Sequence, residues 1–221
     1  MTVSLAQTAL DFEREVDRIQ EWFLTGSIAK VVEHSPFPYA PLADGCVVSL
    51  WDAWGRFVRN LILTCAAGDV ESAGGAVYAP KVQRTPTDAL AHLEAEKHAG
   101  KSYQLSFGKR GEPKWYIAKD TFEIAETLEL ENGPEIGGAL TASQIQLSES
   151  IIVDNPSASL QKLRNYVAHK TEVNFKKVAD VLPVNDHEDL DSYLRSRTHG
   201  GSQVFCDWAD AMVALGHAAV E

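Results

Sequence analysis

An apolar side chain returns every three or four residues through Leu5, Ala9, Phe12, Val16, Ile19 and Phe23, with charged residues filling the gaps. That period puts the six on one face of a rod and predicts an amphipathic helix, with Gly26 as its stop signal. A loop carrying Pro36, Pro38 and Pro41 leads into Val47 to Ala67, where Trp51, Trp54, Phe57, Val58, Leu61, Ile62 and Cys65 make a wide apolar face that ends at Gly68. A second, largely buried helix is expected there. Neither stripe is stable facing water, so each has to be covered by other helices.

Further along, residues 69 to about 140 change character. Small and turn-forming residues come first, then a short helical pattern from Thr87 to His98. Tyr103, Leu105 and Phe107 alternate before the turn Gly108-Lys109-Arg110-Gly111-Glu112-Pro113, and Trp115 and Ile117 follow, which predicts a β-hairpin. Thr121 to Leu130 fits either a strand or a short helix. Helical periodicity is expected again from Thr141 to Ile152, breaks at Asp154 to Pro156, and continues to His169; a last helix carries Val204, Trp208, Met212, Val213 and Leu215. The fold class expected is mainly α: an antiparallel helix bundle forming a single domain over 1–221, with about 69–140 as a small α/β insertion.

With 45% apolar residues the chain can bury a substantial core, while its formal net charge of −11 argues against a protein that coats nucleic acid by diffuse attraction. Any RNA contact has to be local. Cys46, Cys65 and Cys206 are odd in number and form no metal-like pair, and no secretory signal precedes them. These features suit buried structural thiols in a reducing cytoplasm. The most apolar run, Val58 to Ala67, is interrupted by Arg59 and Asn60 and is too short to span a bilayer, so no membrane partner is expected.

The segment from Asn155 to His169 carries the most chemistry. Asn155 suits a helix cap and Pro156 the first helical position, and Leu160, Leu163 and Val167 repeat at helical spacing. On such a helix Asn165 and His169 stand one turn apart with Arg164 beside them. Cleavage of an RNA phosphodiester without a metal proceeds by attack of the neighbouring 2′-hydroxyl, which needs one group to take its proton and one to protonate the leaving oxygen. Histidine serves either task near neutral pH. The guanidinium of Arg164 is a planar, permanently charged fork suited to the phosphate oxygens as charge builds on them. Asn165 is within reach to orient the imidazole or to add a donor.

Arg164-Asn165-Tyr166-Val167-Ala168-His169 resembles the motif of HEPN domains, in which an Arg and a polar residue precede a spacer and a His. The resemblance implies an all-helical bundle that forms a homodimer, so that two motif helices face each other and build a composite, metal-independent endoribonuclease site. It assigns catalytic roles to Arg164, Asn165 and His169 only, with RNA as substrate and no cofactor. It also implies a toxin or defence context under the control of a regulatory or antitoxin protein. The competing class is a noncatalytic helical module that binds a protein partner or nucleotide. Bringing two copies of Arg164 together would answer part of the objection posed by the acidic charge.

Lys109, Arg110 and Lys114 at the expected hairpin turn, beside Trp115 and Tyr116, read either as a solvated turn or as a candidate RNA contact. Asp52, Arg56 and Arg59 share the polar side of the second helix, with Asp52 and Arg56 spaced for a surface pair and Asp52 as an alternative auxiliary acid. His34, His92, His98, His187, His199 and His217 show no zinc-site spacing, and no metal is expected. Walker and Gly-x-Ser-x-Gly patterns do not occur.

Overall fold

The computed structural model describes residues 2–29, 40–99, 113–115, 117–148, 151–180, 190–196 and 201–221. In chain order these form β1 (Val3–Ser4), α1 (Leu5–Ala29), α2 (Ala40–Ala67), β2 (Val70–Glu71), β3 (Val77–Tyr78), α3 (Pro86–His98), α4 (Ala118–Thr127), α5 (Gly133–Leu140), β4 (Gln144–Ser148), β5 (Ile151–Asp154), α6 (Pro156–His169), α7 (Glu172–Ala179), α8 (Leu190–Arg195) and α9 (Val204–Ala218). The protein is mainly helical, as its periodicity predicts. The chain divides into two compact units. The first contains residues 1–12, 54–142 and 215–221; the second contains 13–53 and 143–214.

In the first unit, Phe12 stacks on Phe57 with ring centroids 4.7 Å apart, and Trp54 lies against both rings at 5.8 and 5.6 Å. Gly216 packs onto this cluster, where an added Cβ would stand 3.0 Å from the Phe12 ring. A small sheet completes the unit, with β1 parallel to β2 and β2 antiparallel to β3. The tight link between β2 and β3 needs the positive φ of Gly75, which glycine supplies without steric cost. Thr85 caps α3 by accepting from the Asp88 N–H. Arg84 donates to the carbonyl of Leu128 at 3.1 Å, tying the start of α3 to the end of α4.

In the second unit, Val16, Ile19 and Phe23 of α1 are buried, and Phe23 stacks on Phe205 of α9 at 4.3 Å. The Arg195 guanidinium covers the Phe23 ring at 4.7 Å while its Nε donates to Asp191. Gln20 donates to Asp210 and to the Cys206 carbonyl, joining the polar edges of α1 and α9.

Several expectations need correction. Thr141 to Ile152 is not a helix: β4 and β5 pair antiparallel with a register shift between Gln146 and Ser148. Ile145 and Leu147 alternate with polar neighbours, and Ile151, Ile152 and Val153 are β-branched, so the two-residue period wins over the helical one. Gly26 does not stop α1, which runs to Ala29, and α2 begins at Ala40 because Pro41 in a first turn forfeits no helical hydrogen bond. Thr121 to Leu130 resolves in favour of helix, as α4. Most of the expected hairpin at 103–117 lies outside the described residues; at its described end Pro113 is in a single β-bridge, Trp115 is in a turn and Ile117 caps α4. No described helix is long and apolar enough to cross a membrane.

All three thiols are free, and burial pushes each up to about 11. Asn132, donating to Cys65 Sγ at 3.6 Å, and the charge of Arg195 near Cys46 oppose the shift only in part. Above pH ~9 an unfolded chain releases thiol protons that the folded chain keeps, so this contribution to stability falls as pH rises toward about 11. Native protein at pH 8 is therefore expected to react slowly with iodoacetamide and to label at all three cysteines once denatured. Rapid labelling of the native protein would contradict this burial.

Candidate functional site

α6 is built as its sequence dictates, apart from its cap. Asn155 does occupy the N-cap position, but in the left-handed conformation (φ 41°, ψ 56°), and its side chain caps nothing. The backbone does the work instead: the Asn155 N–H donates to Ser143 at 2.6 Å and its carbonyl accepts from Ser159 at 2.9 Å. Pro156 follows in the first turn, where its missing N–H costs nothing. Leu160, Leu163 and Val167 are buried, and full burial of each leucine contributes about 1.5–3 kcal/mol. This apolar stripe fixes the rotation of the helix and so decides which residues face outward.

The outward stripe is Lys162, Asn165, Tyr166 and His169, spaced i, i+3, i+4, i+7. His169 is exposed, and the other three are half-buried. Arg164 stands between the two stripes, which explains its own partial burial. Its Nη1 donates to Asn165 Oδ1 at 3.4 Å, a long and weak bond, and its Nε is buried with no acceptor. A buried donor left unmade costs about 1–3 kcal/mol. Asn165 is thus engaged with Arg164 rather than with the imidazole of His169.

α6 ends at Lys170, again left-handed (φ 42°), whose Nζ meets Asp44 at 2.5 Å. That contact raises the pKa of the ammonium and ties the end of α6 to α2. Thr171 then caps α7 by accepting from the Asn174 N–H at 3.3 Å. Lys170 and Thr171 alone separate the helices, so α6 and α7 form a tight helical hairpin. Across it, Tyr166 and Phe175 pack with ring centroids 5.4 Å apart, and Asn174 Nδ2 donates to the Asn165 carbonyl at 3.4 Å. Val178 is fully buried, while Val173, Lys176 and Lys177 face solvent.

The structure therefore places Arg164, Asn165 and His169 on one helix, with Arg164 and Asn165 in contact. Lys162 is the site-edge residue that sequence reasoning passed over, and its signal was present: it is three, four and seven residues before Asn165, Tyr166 and His169. α7 was also passed over, although Thr171-Glu172 carries a cap and a first-turn acid.

Lys109 and Arg110 lie outside the described residues. Lys114 is half-buried in the first unit, and the α6 residues belong to the second. Asp52 and Arg56 are both exposed on α2. His92 contacts the Thr127 carbonyl at 3.2 Å and His98 contacts Glu94 at 3.9 Å, so each has a local structural partner. Among the described residues no three His, Cys, Asp or Glu side chains converge.

No family model matches the chain, and neither the curated proteins nor the solved structures contain a match to it.

Proposed function

We propose that the protein is a metal-independent endoribonuclease of HEPN type, acting as a homodimer, with His169 as the acid/base group, Arg164 as the phosphate-binding residue and Asn165 as its support. The observation that carries this reading is α6 itself: an exposed imidazole and a half-buried guanidinium held on one helix whose rotation is fixed by Leu160, Leu163 and Val167. The 2′-hydroxyl would lose its proton as its oxygen attacks phosphorus, the bond to the 5′-oxygen would break, and that oxygen would take a proton as it leaves. Negative charge on the non-bridging oxygens is what a guanidinium stabilises. A toxin or defence role, with a companion protein restraining the enzyme, belongs to the same proposal.

Incubation of the purified protein with a single-stranded RNA in excess chelator tests the chemistry. Products ending in a 2′,3′-cyclic phosphate are expected, and a 2′-O-methyl RNA of the same sequence should remain intact because it has no free attacking hydroxyl. Cleavage of both RNAs, or products with a free 3′-hydroxyl, would refute the mechanism. The partial burial of Arg164 favours one other reading, a noncatalytic module in which this side chain serves packing; that reading expects no cleavage from any variant.

A further inference from the structure

The α6–α7 hairpin is locally basic in a chain that is acidic overall. Residues 156–180 contain five basic side chains, Lys162, Arg164, Lys170, Lys176 and Lys177, and two acidic ones, Glu172 and Asp180, a net charge of +3 within a protein whose net charge is −11. Two of the five are already partnered. Lys170 is held by Asp44, and Lys176 pairs with Glu172 at 2.8 Å. The second pair is an exposed i, i+4 contact worth only about 0.3–0.5 kcal/mol, too little to keep Lys176 from a phosphate. Lys162 lies on the stripe that ends in His169, and Lys177 is on the solvent side of α7.

We propose that this hairpin is a binding surface for a single strand of RNA, with Lys162, Lys176 and Lys177 as its phosphate contacts. The inference rests on the ribonuclease reading for its ligand and extends it by assigning how the strand is held. Charge complementarity selects a polyanion, since a local positive surface attracts phosphate even on a protein that is acidic overall. The size of the surface selects a single strand. α6 and α7 have 14 and 8 residues, so they are about 21 and 12 Å long, shorter than the two successive grooves that duplex-binding domains span. Tyr166, half-buried on the outward stripe and backed by Phe175, adds an aromatic face among the lysines, the combination on which unpaired bases stack.

The test is fluorescence anisotropy of a labelled 2′-O-methyl RNA, which binds without being cut, titrated with the full-length protein in chelator at several salt concentrations. The site triple Lys162→Gln, Lys176→Gln, Lys177→Gln is compared with the charge-matched triple Arg18→Gln, Lys81→Gln, Lys97→Gln, drawn from exposed positions elsewhere. Each phosphate contact on a single strand contributes about 0.7 to the slope of log K against log salt, so the site triple should flatten that slope by about 2 and weaken low-salt binding at least about tenfold. The control triple should leave the slope unchanged, and arginine at the three site positions should restore binding, which separates loss of contact from loss of fold. Equal weakening by both triples, no effect of the site triple, or no binding by the parent would overturn the assignment. So would loss of binding through Lys109→Gln and Arg110→Gln with the site triple unaffected. Cleavage of unmodified RNA is followed in parallel. Lysine-dependent binding without cleavage by the parent would leave this surface standing and sink the ribonuclease reading; cleavage with lysine-independent binding would do the reverse.

Discussion

Replacing His169 with alanine is expected to slow RNA cleavage by about 10²–10⁴-fold, the usual contribution of a positioned acid/base group. The side chain is exposed at the end of α6 and anchors no core, so the melting curve should shift by no more than the equivalent of about 0.5 kcal/mol. Binding of an uncleavable RNA should be retained, because the proposed phosphate contacts lie on other residues. Arg164 behaves differently. Arg164→Ala removes the guanidinium from the phosphate and with it a buried unpaired Nε, so its cleavage defect should come with little loss of stability, or a small gain. Arg164→Lys should not rescue cleavage, since an ammonium cannot reproduce the planar fork. Cleavage at the parental rate by His169→Ala, with the same product ends, would remove His169 from the mechanism and point to a contaminating nuclease.

Most of the helical framework was legible because burial and spacing agree along it. Phe12, Trp54 and Leu163 repeat at helical period in sequence, and each is buried where that period places it. Failures occurred where two periods compete in a short window. Ile145, Leu147, Ile151 and Ile152 fit a loose helical pattern, and only strand pairing with register Ile145 to Val153 decides for a hairpin. Gly26 read as a stop, but glycine merely lowers helix propensity by about 1 kcal/mol, which the surrounding residues of α1 offset. At the site, the relation of Asn165 to His169 followed from helical geometry alone. The half-burial of Arg164 did not, because it depends on how far the buried stripe rotates α6. The short helices α7 and α8 were missed since eight and six residues carry too little periodicity to announce themselves.

Trp54→Ala should cost about 3–5 kcal/mol of stability, the range for truncating a large buried aromatic. Only 2% of Trp54 is exposed, and its ring lies against both Phe12 and Phe57, which in turn stack on each other. Removing the indole therefore leaves a cavity and strips two aromatic partners at once, and the clustered rings cannot collapse into the space without breaking their own contact. For a chain of this length each kcal/mol moves the melting temperature by about 2–4 °C, so a drop of about 6–20 °C is expected by differential scanning calorimetry. That is a large share of the ~5–15 kcal/mol that holds a typical domain together. The internal comparison is Trp22, the same residue type on α1 but 57% exposed, where Trp22→Ala should change stability by no more than about 0.5 kcal/mol. Equal melting shifts for the two variants would mean that Trp54 is not in the core. A large effect confined to Trp22 would mean that α1 is rotated from the orientation described, with Phe12, Val16 and Phe23 no longer the buried face.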